Sequence, residues 1–74
     1  MERKYKVLNR LKGKITEQGE SYRSLHEKTG ISSSCISNKI NGYYLFDVEE
    51  VEKLCNALHI SAEQIAYFFG INIA

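Results

Sequence analysis

The stretch from Ser21 to Gly42 constrains the fold more than any other part of the chain. Ser21 is placed to cap a helix that runs to Thr29, with Leu25 pointing into the core. Gly30 ends that helix in the left-handed conformation that only glycine adopts without strain. Ser32 then caps a further helix over residues 33–41, and Gly42 terminates it. The unit at about residues 21–42 is therefore a pair of short helices joined by a tight glycine turn.

What the second helix exposes says what the pair is for. At about 100° per residue, Ile36 and Ile40 share one side. Ser34, Asn38 and Asn41 lie opposite, with Cys35 and Ser37 on the flanks. A helix that buries isoleucines and presents serine and asparagine has the composition of a groove reader. Asparagine bonds adenine N6 and N7 together, serine serves several base edges, and short side chains bring the helix close to the bases. Ser33, Ser34, Ser37, Asn38 and Asn41 are the expected base contacts. No arginine stands on this face, so the expected specificity leans towards adenine and thymine methyl groups.

Backbone contacts are expected from the edges of the unit. A helix N-terminus offers free N–H groups to phosphate, and Tyr22 and Arg23 stand at one. Lys39 flanks the next helix, and Tyr43 and Tyr44 follow in a loop that either lies along the phosphates or packs under the next helix. Together these features predict a helix-turn-helix, one helix bracing on the backbone while its neighbour enters the major groove of duplex DNA.

The rest of the chain reads as helix as well. Leu8, Leu11 and Ile15 form one stripe on a helix over residues 4–18, where Gly13 is expected to permit a close helix contact. Asp47 and Glu50 form a capping-box pattern before a helix with Val48, Val51, Leu54, Cys55 and Leu58 on its buried side, and Phe46 serves as the staple. Ser61 and Gln64 repeat the pattern before Ile65, Phe68 and Phe69. The expectation is all-α: five helices in one compact domain over residues 1–74, with no strand.

Size and charge narrow the function. A chain of 74 residues buries only about 60 to 65% of the surface its unfolded form exposes. Residues 1–42 carry nine lysines and arginines against four acids, a balance of +5, while residues 43–74 carry one lysine against five acids, a balance of −4. A polyanion is expected to meet the first part, with the acidic part turned away. No apolar run reaches the ~18 residues of a membrane span, so a soluble, cytoplasmic chain is expected. Cys35 and Cys55 are too few for a disulfide framework and read as reduced thiols. Cys55 and His59 sit one turn apart, but no Cys-x2-Cys pair accompanies them, and no metal or other cofactor is expected. Neither a phosphate loop nor a nucleophile elbow is present, and Glu49, Glu50 and Glu52 read as a solvated helix face. An enzyme is not expected.

With these residues in view, the chain resembles the lambda repressor-like, Cro/repressor class of helix-turn-helix proteins, and within it the small Cro-like phage regulators. Leu25, Gly30, Ile31, Ser32 and Ile36 carry the resemblance, joined by residues 11–15, residues 37–42, Phe46 and residues 67–69. It covers roughly residues 5–69 and implies a transcriptional regulator. By that resemblance Tyr22 holds the first position of the unit, often glutamine in the class. Ser32, Ser33, Ser34, Ser37, Asn38 and Asn41 fall on positions the class uses to touch DNA, Ser32 on the backbone side. His26 stands where the class usually places alanine, and must tilt outward or widen the packing. Lys39 stands where an apolar residue is usual, with Ile40 taking the packing role.

Residues 66–74 form a conspicuously apolar tail. Either Phe68 and Phe69 complete the core while the last four residues fray, or the tail is a self-association surface giving a homodimer. The same surface suits a second role, in which a small phage protein of this fold modulates a repressor by binding it.

Overall fold

The computed structural model describes residues 2–74; the first residue of the predicted 1–74 domain lies outside the described residues. Five α-helices follow one another: α1 (Asn9–Glu17), α2 (Tyr22–Thr29), α3 (Ser33–Ile40), α4 (Val48–Leu58) and α5 (Ile65–Phe69), the last entered through a short 3-10 turn, Ala62–Gln64. The described residues contain no strand beyond an isolated parallel bridge between Phe46 and Ile73.

Local chemistry sets most of the helix starts. At α2 the Ser21 hydroxyl accepts from Ser24 N at 3.1 Å, and Ser24 Oγ accepts from Ser21 N at 2.8 Å. At α4 the Asp47 carboxylate accepts from Glu50 N at 2.7 Å while Glu50 Oε1 accepts from Asp47 N at 2.9 Å, the reciprocal box read in the sequence. α4 ends on His59, whose φ of 58° places a non-glycine residue in the left-handed region.

Packing draws every helix into one core. Leu11, Leu25, Ile36, Ile40, Leu54 and Leu58 are fully buried, one or two from each of the first four helices. Phe46 and Phe69 close it, their rings meeting edge to face at 5.3 Å. Four sequence expectations change here. α1 begins at Asn9, not near residue 4, because the preceding segment runs as a strap across the end of α3. Lys4 N and Tyr5 N both donate to Gly42 O, at 3.0 and 2.9 Å, and Leu8 N donates to Ile40 O at 2.9 Å. The last turn of a helix leaves carbonyls without partners, and the strap supplies them.

The tail does not fray. Phe46 N donates to Asn72 O at 3.0 Å, Ala74 N donates to Phe46 O at 2.7 Å, and the buried Asn72 amide donates to Lys6 O at 2.7 Å. Val48 is not buried either: it is 66% exposed, because the apolar stripe of α4 continues through its first turn beyond the edge of the core. Gly13 makes no close contact, since a methyl group there would meet no atom within 4 Å.

Two glycines should therefore respond oppositely. Gly13→Ala is expected to stabilise the domain by up to ~1 kcal/mol, the helix-propensity difference. At Gly42 (φ 87°) a Cβ would lie 2.3 Å from Tyr5 O, so Gly42→Ala is expected to destabilise by about 1–3 kcal/mol. Thermal unfolding of both variants checks the contrast.

Candidate nucleic-acid interface

The turn between α2 and α3 is held from both sides. Gly30 adopts φ 79° and its N–H returns to His26 O at 2.8 Å. Thr29 Oγ1 donates to Leu25 O at 2.6 Å and accepts from Ile31 N at 3.2 Å. The His26 ring lies outward, and its Nδ1–H donates to Ile31 O at 2.9 Å. Tilted this way, the larger ring in place of alanine becomes a clasp on the turn.

α3 leaves that turn with Ile36 and Ile40 fully buried, so its opposite face has to look out. Ser34 is exposed, Ser37 and Asn38 are half-buried, and the side chains of Ser34 and Asn38 have no hydrogen-bond partner among the described residues. The other predicted base contacts are partly engaged. Ser33 Oγ donates to Tyr22 O at 3.4 Å, facing α2, and the Asn41 amide donates back to Ser37 O at 2.8 Å, leaving its own oxygen free. Ser32 caps α3, accepting from Cys35 N at 3.1 Å.

The predicted backbone contacts sit in three different environments. Arg23 extends from the first turn of α2, nearly fully exposed, with only a loose 3.9 Å approach to Glu27. Tyr22 beside it is half-buried against the core, and that burial pushes its phenol above the ordinary range. Tyr44 is half exposed, while Tyr43 is more sheltered and lies under the Arg3 guanidinium, 5.8 Å from the ring centroid. Lys39 turns away from this surface. Its ammonium meets Glu50 Oε1 of α4 at 2.5 Å, the two side chains being only 17% and 14% exposed. Burial disfavours the Lys39 ammonium, but the Glu50 carboxylate and the Cys35 sulfur more than offset it, and the amine titrates above its usual range. Cys35 Sγ lies 3.6 Å from Glu50 Oε2, and burial pushes both the Cys35 and Cys55 thiols up.

The strap sets three cations of the basic half beside α3, a placement that sequence reasoning missed. Arg3 Nε donates to Asn41 O at 2.9 Å, and Lys4 and Lys6 are exposed beside it, next to the C-terminal end of α3. The available signal was Gly42, whose missing side chain marks the crossing of the strap, but a glycine after a helix reads equally well as a simple terminator.

Two helices clasped about a left-handed glycine, the second exposing a polar face, define a helix-turn-helix DNA-binding domain. The family model for the Cro/C1-type HTH DNA-binding domain matches residues 10–69, and the chain belongs to that family. Neither the comparison with curated proteins nor that with solved structures gives a match.

The outward residues of α3 should be separable from its supports by stability alone. Ser32→Ala is expected to cost about 0.5–2 kcal/mol through the lost cap. Ser34→Ala and Asn38→Ala are expected to stay within about 0.5 kcal/mol of the parent. Urea unfolding of the three variants measures the difference.

Proposed function

We propose that this DNA-binding domain is a sequence-specific transcriptional regulator, a Cro-like repressor of phage or prophage origin acting in the bacterial cytoplasm. In this reading α3 enters the major groove of operator DNA. Ser34 and Asn38 meet base edges directly, with Ser33, Ser37 and the free oxygen of Asn41 at the margins of the contact. Tyr22, Arg23, Ser32, Tyr43 and Tyr44 hold phosphates. The observation that carries the reading is the unengaged Ser34–Asn38 face, fixed outward by the burial of Ile36 and Ile40 on the same helix. Among the described residues no helix is long and apolar enough to cross a membrane.

The functional form is a homodimer joined through the C-terminal region. Ile71 is 94% exposed and Tyr67 56%, two apolar side chains of the C-terminal region that the core leaves uncovered. The Arg10 guanidinium stacks over the Tyr67 ring at 4.3 Å and gives the patch a polar edge. Two copies joined there would place two reading helices on half-sites about one helical turn apart. The same exposed pair supports a second reading, in which the domain binds a repressor protein and modulates it.

Selection from random-sequence duplexes with the purified chain tests the choice. An enriched palindrome is expected, and Asn38→Ala should weaken binding to it by about 1–3 kcal/mol and relax preference at one position of each half-site. Affinity should also fall steeply with salt as phosphate counterions are released. Recovery of no preferred sequence, together with capture of a larger repressor, would favour the modulator. Ile71→Lys is expected to shift sedimentation towards the monomer; an unchanged dimer would place the interface elsewhere.

A further inference from the structure

Lys39 is the one cation on the reading helix, yet its charge points at α4. It follows Asn38 directly, about 100° further round α3, so its Cα lies one step from the outward face. Cys35, one turn earlier, shares its flank, and both meet the same carboxylate. That carboxylate is unusually well fixed. Glu50 Oε1 accepts from Asp47 N as part of the box that starts α4 and from Lys39 Nζ at 2.5 Å, while Oε2 faces the Cys35 thiol. A carboxylate already held by its own helix start loses little further freedom on binding the ammonium. A phosphate competing for that ammonium must separate a sheltered pair, leave the Glu50 carboxylate without its cation and draw Lys39 away from the Phe46 ring, over which it lies at 6.0 Å.

We propose that Glu50 is a specificity-determining residue that withholds Lys39 from the DNA backbone. Phosphate contacts add affinity for any sequence, whereas base contacts discriminate. By neutralising the cation nearest the reading face, Glu50 leaves that face to the uncharged Ser34 and Asn38, and keeps mixed-sequence binding weak relative to the preferred site. The proposal rests on the DNA-reading role of α3.

The test is the salt dependence of binding to a mixed-sequence duplex. Glu50→Gln retains a residue that can complete the box at this position and removes the charge. Its plot of log K against log salt is expected to steepen by about 0.9 relative to the parent, the contribution of one additional phosphate contact, equivalent to about 3.5-fold more affinity lost between about 50 and 200 mM salt. The ratio of preferred-site to mixed-sequence affinity should fall with it. Glu52→Gln, an equal charge change on the exposed part of α4, should leave the slope at the parent value, and so should the double variant Lys39→Met, Glu50→Gln. A Glu50→Gln slope equal to that of Glu52→Gln overturns the proposal. So does a double-variant slope shallower than the parent by about 0.9, which would mean that Lys39 already touches phosphate; Lys39→Met alone, which keeps Glu50 in its box, carries the same comparison if Glu50→Gln fails to fold. Absence of any duplex binding by the parent chain would instead overturn the DNA-reading role itself, and the proposal with it.

Discussion

The outward face of α3 exists because its other face has nowhere else to go. Ile36 and Ile40 are both fully buried, one turn apart, and a helix cannot rotate about its axis without exposing one of them. Burying an isoleucine side chain is worth about 1.5–3 kcal/mol, so any rotation large enough to turn Asn38 inward forfeits a sizeable part of a small domain's stability. The caps reinforce this constraint. Ser32 fixes where α3 starts, while Thr29 and His26 fix the turn before it. Apolar packing sets the rotation of α3, and short polar bonds set its register.

Features that depend on near neighbours in the chain were the ones legible in the sequence. The box at Asp47 and Glu50, the cap at Ser21 and the left-handed Gly30 each involve residues within a few positions of one another, and each stands where expected. At Ser21 the reciprocal partner is Ser24 instead of the usual acid or amide, so only half of that motif could be read. What could not be read depends on the rest of the fold. Leu8 fits the stripe of α1 whether it lies inside the helix or caps it, and only the bond to Ile40 O, far along the chain, decides. Val48 belongs to a continuous apolar stripe, and periodicity carries no information on where the core stops. The pairing of Lys39 with Glu50 spans a loop, and no local pattern encodes it.

The charge asymmetry acquires a structural meaning once the two halves are folded together. The basic residues 1–42 contribute the strap, α1, α2 and α3, and the acidic residues contribute α4 onward. The halves meet at Lys39 and Glu50, where one positive charge of the basic half is cancelled by one negative charge of the other. Lys28 and Glu20 close a second pair within the basic half, joining the end of α2 to the segment before it. Cations left free of such pairing, among them Arg3, Lys4 and Lys6, gather on the strap beside the end of α3. Net charge is a poor guide to such a molecule. What a polyanion would meet is set by which cations the fold has already neutralised.

The strap also changes how the end of α3 behaves. A helix C-terminus beside a glycine ordinarily frays, because its last carbonyls bond only to water. Here Ile40 O, Asn41 O and Gly42 O each accept from the strap, and the strap is in turn held by Asn72 on Lys6 O. The strap and the tail thus meet at the end of α3, and the tail is fastened to Phe46, next to the start of α4. The strap and all of the tail beyond Phe69 lie outside the stretch that matches the family. The family's helical core supplies the helix-turn-helix, and these terminal segments supply the clamp that keeps its last turn ordered. Loosening that clamp would first free the loop at Tyr43 and Tyr44, which begins on the same Gly42 that the strap crosses.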